Sequence, residues 1–259
     1  MDLGISGKKA IVCASSRGLG KACAMSLGKA GAAVTINGRD ETVLAATADE
    51  IVRATGAEVT AVAADVGTPK GQARLLDACP APDILINNNG GPPFRDFREI
   101  DRKAMLDGVT MNMVTPIELI QSVIDGMIAR RFGRIVNITS ISVKMPVVGL
   151  DLSSGGRAGL TAFLAGVARS VADRNVTINN LLPGYFDTDR LRAGFAGTAK
   201  LQNRSENEVA DDTAAGIPAK RFGDPAEFGE ACAFLCAAGS GYITGQSLLI
   251  DGGKHNSAF

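Results

Sequence analysis

The residues best suited to chemistry come early in the chain. Cys13-Ala14-Ser15-Ser16-Arg17-Gly18-Leu19-Gly20 follows an apolar run and opens a helical pattern. A glycine-rich turn between a first strand and a helix presents backbone N–H groups and a helix N-terminus to a phosphate. Gly18 and Gly20 permit close backbone approach and tight helix packing. Ser15, Ser16, Arg17, Gly18, Leu19 and Gly20 therefore form a candidate dinucleotide phosphate loop. A second signal closes the next strand, in Asn37-Gly38-Arg39-Asp40. An acidic residue about 20 positions past the loop binds the ribose hydroxyl of NAD, whereas an arginine suits a 2′-phosphate. Arg39 offers a planar fork of donors, and Arg17 adds a second cation, which favours NADP(H). Asp40 keeps NAD(H) as the rival, although an acid in a first helical turn is also favourable on structural grounds alone.

These residues need a scaffold, and the hydrophobic pattern supplies one. Short β-rich runs fall at 8–15, 32–38, 58–65, 83–89, 134–140, 176–183 and 246–251. Helical stretches lie between them, at 18–30, 41–55, 69–79, 101–131, 155–173 and 225–238. In the run from 155, Leu160, Phe163, Leu164, Val167 and Val171 form a helical stripe. Strand alternating with helix predicts an α/β fold: a single Rossmann-like domain over 1–259, a doubly wound parallel sheet of about seven strands with helices on both faces. Runs such as ILI and LLI are apolar without alternation, as expected of strands covered on both faces. The polar stretch 184–217 carries no strand signal and reads as a substrate lid or binding loop.

Composition narrows the function. Hydrophobic residues make up 46% and charged residues 21% of 259, which excludes a disordered chain. Lys plus Arg and Asp plus Glu are both 27, so a broad electrostatic grip on nucleic acid or an anionic membrane is not expected. No apolar run approaches the roughly 18 residues of a membrane span, and the start lacks a signal-peptide layout. Five scattered cysteines read as reduced thiols of a cytoplasmic protein, with Cys232 and Cys236 as packing residues and no metal site.

The chain resembles the short-chain dehydrogenase/reductase family, including bacterial 3-oxoacyl-(acyl carrier protein) reductases, over essentially its whole length. The landmarks follow in order: Gly18-Leu19-Gly20, Asp65-Val66, Asn87-Asn88-Asn89-Gly90, Asn112, Ser140, Pro183-Gly184 with Thr188, then Tyr242-Ile243-Thr244-Gly245 and Asp251-Gly252-Gly253. The resemblance implies that Asp65 and Val66 border the adenine, and that Asn88 and Gly90 support the fourth strand and adenosine ribose region. It places Pro183, Gly184 and Thr188 at the nicotinamide, gives Asn112 a proton-relay water and lets Ser140 bond the substrate oxygen. It also implies a homotetramer.

Two departures stand out. Alanine replaces the family's glycine at position 14, which is expected to reshape the first turn of the phosphate loop. The family's catalytic Tyr-x-x-x-Lys is missing, and the alignment puts Ser153 at the tyrosine and Arg157 at the lysine. Serine is far less acidic than a phenol, while Arg157 can still hold the ribose and supply a positive field. Lys144, Asp151 and Tyr185 are rival acids, each with an ordinary structural reading; Tyr242 is expected near the C-terminal strand core, and His255 sits in a polar tail. Gly91-Pro92-Pro93-Phe94, with Phe97, Met145, Val147, Leu150, Phe186 and Phe195, suggests an apolar lining. The favoured reading is an NADP(H)-dependent oxidoreductase acting on a carbonyl or secondary alcohol, 3-oxoacyl-like, through Ser140, Asn112, Ser153 and Arg157. The rivals are a redox-inactive NADP(H)-binding sensor and a non-redox lyase or isomerase on the same fold.

Overall fold

The apolar runs form a parallel sheet, seen in a computed structural model that describes residues 2–92 and 94–257. Its strands are β1 (Lys9–Val12), β2 (Ala33–Gly38), β3 (Val59–Ala63), β4 (Ile84–Asn87), β5 (Gly133–Ile138), β6 (Val176–Pro183) and β7 (Ser247–Ile250). They pair in the order β3-β2-β1-β4-β5-β6-β7, all parallel. Successive side chains of one strand point to opposite faces. Ala10 and Val12 accordingly enter one core with Leu27, Leu44 and Phe228, while Ile11 enters the other with Leu85, Leu119 and Leu160.

The helices are α1 (Gly18–Lys29), α2 (Glu41–Thr55), α3 (Pro69–Ala78), α4 (Arg102–Val109), α5 (Thr115–Arg130), α6 (Asp151–Ser170), α7 (Asp189–Gln202), α8 (Glu206–Ala215) and α9 (Pro225–Cys236). Local chemistry starts several of them. Asp40 caps α2 by accepting from the Val43 N–H, Thr68 caps α3, and Asp224 opens α9 with a capping box and Pro225 at its start. A π-helical turn, Thr110–Val114, joins α4 to α5. α1 and α9 cross closely because a Cβ at Gly229 would run into the Ala22 carbonyl.

Several expectations need correction. The stretch 184–217 is not an open excursion: most of it is α7 and α8, clasped around Phe195, Ala199 and Val209. Ser205 and Glu208 form a capping box for α8 that marks its start. α6 begins at Asp151 rather than 155; Gly155 and Gly156, poor helix formers, mask its first turn in the sequence. Tyr242 is fully exposed rather than near the strand core. Phe186 and Phe195 are buried packing residues: Phe186 meets Phe228 edge-on at 5.2 Å, and Phe195 leans on Phe222.

All five thiols are buried, and burial pushes Cys13 up to about 12, which keeps it protonated. Among the described residues no cluster of three metal-ligating side chains occurs, and no helix is long and apolar enough to cross a membrane.

Candidate active site

The phosphate loop is tied to β2 and β3 by one amide. The Asn37 side chain donates to the Val62 and Ala64 carbonyls, each at 3.0 Å, and its oxygen accepts from the Ala14 N–H. Ser15 is buried; its hydroxyl donates to the Val12 carbonyl at 2.7 Å and accepts from the Asn37 N–H. That hydroxyl is therefore spent inside the loop. Asn88 donates to the Ala14 carbonyl at 3.0 Å, fixing the turn from β4. A Cβ at Gly20 would lie 2.5 Å from the Ala14 carbonyl oxygen, so only glycine lets α1 start this close to the turn.

Ala14 takes φ +43, in the left-handed region that favours glycine, and carries the strain of about 1–2 kcal/mol that this costs an L-residue. Arg17 precedes α1 in an extended conformation, without a side-chain cap, so the first-turn N–H groups of α1 remain available to an anion. Ser16, with its carbonyl held by the Thr47 hydroxyl, and half-exposed Leu19 complete the loop.

Around this cradle, Arg17 and Arg39 are exposed and have no side-chain partner among the described residues. The Asp40 carboxylate is occupied by the Val43 N–H at 3.0 Å. Only Oδ1 of Asp40 is engaged, while the Arg39 guanidinium has no partner among the described residues. Asp65 is exposed and turns back on the Gly67 N–H. Val66 packs its side chain in the core, which leaves its backbone as the part that can face the crevice. Beside Gly90 the space a Cβ would occupy is open. Thr188 caps α7 and stands against the phosphate loop, its methyl 3.7 Å from where a Cβ on Gly18 would lie. Pro183 ends β6, and Gly184 packs so closely on Asp251 that a Cβ would come within 2.7 Å of the Asp251 Cβ.

At the ends of β4 and β5 the polar groups converge on Arg157. This side chain is 8% exposed. Nε donates to Ser153 Oγ at 3.1 Å, Nη1 to the Ile138 carbonyl at 2.5 Å and Nη2 to the Asn89 carbonyl at 3.3 Å. No carboxylate pairs with it among the described residues. Burial, and secondarily the charge of Arg190, pushes Arg157 down to about 10, still protonated at neutral pH. Ser153 is buried and makes no bond to Ser140 among the described residues; Ser140 is half-exposed and accepts from the Ser142 N–H.

The π-helical turn shapes the rest. It leaves the Met111 carbonyl to the Asn89 side chain, which donates to it at 2.7 Å. Asn112 is buried and donates to the Gly108 carbonyl at 3.1 Å. The amide oxygens of Asn89 and Asn112 are buried acceptors without a protein donor, a setting suited to a bound water. Gly156 lets α6 close on this turn, since a Cβ there would stand 3.0 Å from the Asn112 Cβ.

Of the rival acids, Lys144 and Asp151 are exposed, and Tyr185 lines a cavity of about 180 Å3 with Arg221, Glu227 and Asp251. His255 donates its backbone N–H to Asp251. Phe94 and Phe97 are exposed at the rim, and Pro93 of the expected rigid turn lies outside the described residues. Sequence reasoning missed Arg190, in the first turn of α7, whose Nη2 approaches the Pro92 carbonyl at 3.5 Å. A signal existed, because a cation at a helix N-terminus opposes the helix dipole.

The ligand crevice of such a sheet falls where strand order reverses, here between β1 and β4, and the glycine loop, Asn88 and Gly90 all border it. The molecule is thus a dinucleotide-binding α/β protein in its architecture. A sequence profile described as Enoyl-(Acyl carrier protein) reductase matches residues 13–255. The 3-oxoacyl-[acyl-carrier-protein] reductase of Vibrio cholerae is 32% identical over 98% of this chain and 99% of its own length. The NADPH-dependent reductase BacG of Bacillus subtilis is 30% identical over 98% of this chain and all of its own. The crystal structure of L-sorbose reductase from Gluconobacter frateurii, complexed with NADPH and L-sorbose, superposes with a TM-score of 0.94 at 27% identity, covering 99% and 100% of the two chains. This chain belongs to the short-chain dehydrogenase/reductase family of oxidoreductases.

Proposed function

We propose that this chain is an NADP(H)-dependent oxidoreductase acting on a carbonyl or secondary alcohol of 3-oxoacyl-like kind, with a serine and an arginine where relatives of the family carry tyrosine and lysine. One observation carries the cofactor choice: at the end of β2 the Arg39 guanidinium is free while the Asp40 carboxylate is the cap of α2. Arg17 and Arg39 would hold the 2′-phosphate, and the N-terminus of α1 the pyrophosphate. Asp65, Asn88 and Gly90 would border the adenosine half, with the backbone at Val66; Pro183, Gly184 and Thr188 would border the nicotinamide half. When bound, the reduced nicotinamide supplies the hydride.

The chain's own residues handle the proton. Ser140 donates a hydrogen bond to the substrate oxygen, and Arg157 stabilises the negative charge that grows there. Ser153, whose oxygen accepts from Arg157 Nε, gives its proton to that substrate oxygen and regains one from water held at the Asn112 and Asn89 amide oxygens. A serine is a poor acid, so this site gives up much of the roughly 10²–10⁴-fold that general acid catalysis supplies.

The test is paired titration of NADPH and NADH, followed by turnover on a ketone panel. Arg39→Asp should weaken NADPH binding about 10–100-fold and leave NADH binding nearly unchanged. Equal weakening of both overturns the cofactor assignment, and tight NADPH binding without turnover on any ketone overturns the reductase reading. The exposed apolar residues Met105, Leu106, Val109 and Phe163, on α4 and α6 packed against one another, support the homotetramer; sedimentation as a monomer would refute it.

A further inference from the structure

We propose that Arg190 and Arg157 together recognise a carboxylate on the substrate beside its reacting carbonyl, so that the preferred substrates are free oxo acids. This rests on the reductase reading above and specifies its substrate class.

A guanidinium has five N–H donors. Arg157 places three on protein acceptors, and two remain on a buried cation with no acidic partner among the described residues. Buried cations without an acid are costly, and a well-placed anionic ligand offsets part of that cost. Arg190 is the second member. It is exposed, makes no ion pair among the described residues, and its one bond is the long contact to the Pro92 carbonyl.

Both guanidinia grip the same short loop after β4: Arg157 at the Asn89 carbonyl, Arg190 at Gly91 and Pro92. A Cβ at Gly91 would lie 2.6 Å from Arg190 Nη2, so the missing side chain is what admits this guanidinium. Neither neighbouring acid pairs with it among the described residues: Asp187 is held by Arg192 through two contacts of 2.8 and 2.7 Å, and Asp189, in the same first turn, makes no ion pair with Arg190. Two like charges on one loop repel, and the first turn of α7 adds a positive dipole end. A carboxylate relieves all three, and it takes planar, paired donors well.

The competing source of negative charge is the pyrophosphate of the cofactor, since Thr188 stands against the phosphate loop. The experiment separates the two. Acetoacetate and ketoisocaproate are compared with their methyl esters, in calorimetric binding to the NADP+-loaded protein and in turnover with NADPH, for wild type and Arg190→Gln. The expected result is about 100-fold tighter binding of acid than ester in wild type, loss of most of that preference in Arg190→Gln, and NADPH affinity unchanged within about twofold. Equal binding of acids and esters by wild type overturns the proposal. A tenfold loss of NADPH affinity in Arg190→Gln, with the acid preference kept, assigns the charge to the cofactor and also overturns it. Arg190-dependent acid binding without any turnover sustains the recognition and refutes the reductase reading instead.

Discussion

Two arginines are buried at opposite ends of β5, and they are built differently. Arg134, at the start of the strand, is fully buried. It places all five donors on oxygens of Ala237, Gly133, Asn175 and Ala238, and stacks 4.4 Å from the centre of the Phe132 ring. Arg157, beyond the other end, uses three donors and faces a second cation. A closed set of bonds reads as a structural tie between β5, β6 and the segment after α9. An open set, kept at the cost of burying charge, reads as a site.

The sharpest way to break this contrast is to remove each guanidinium. Arg134→Met should cost about 3–5 kcal/mol of stability, because several buried carbonyls lose their donors, while NADPH affinity in the protein that remains folded is unchanged. Arg157→Met should change stability by no more than about 1 kcal/mol yet lower kcat/KM by about 10³-fold. Thermal unfolding and kinetics on both variants decide the matter; similar destabilisation by both would erase the distinction.

A smaller effect concerns proton supply. Ser153→Tyr with Arg157→Lys should raise ketone reduction by about 10²-fold if the site is otherwise intact. The pH profile sharpens the comparison further. Because Arg157 must be charged to stabilise the oxyanion, activity should hold up to about pH 10 and fall as pH rises through it. In Arg190→Gln a repelling charge is gone, so that falling limb should move to higher pH. The smallest effect is at the phosphate loop: Ala14→Gly should stabilise by about 1 kcal/mol, seen in urea unfolding, by releasing a left-handed alanine.

The strands were legible because their apolar runs are continuous, and the phosphate loop because glycines sit between a strand and a helix. Arg39 was legible as a cation at a strand end and Asp40 as an acid of a first helical turn, but not that Asp40 would accept from the Val43 N–H as the cap. The first turn of α6 was hidden by Gly155 and Gly156, of which Gly156 is required by the close packing of Asn112 rather than by local propensity. α7 and α8 were hidden because their small core of Phe195, Ala199 and Val209 is thinly spread among polar residues. Arg157 could be placed by spacing, yet its unpaired state depends on carbonyls 19 and 68 residues away. Arg190 gains meaning only from a glycine about a hundred positions earlier in the chain.

The wide turn at Thr110–Val114 has a consequence for how the chain tolerates change. It accommodates one extra residue without rotating the flanking segments, so excising a single position there would let α4 and α5 run on as one ordinary rod with their inward sides still in register. Such a shortened chain should fold and keep its melting behaviour while the carbonyl that aims Asn89 is drawn back into the ladder. The extra residue is then a tolerance of the scaffold spent wholly on the crevice, and a circular dichroism melt beside an assay would show folding and catalysis parting company.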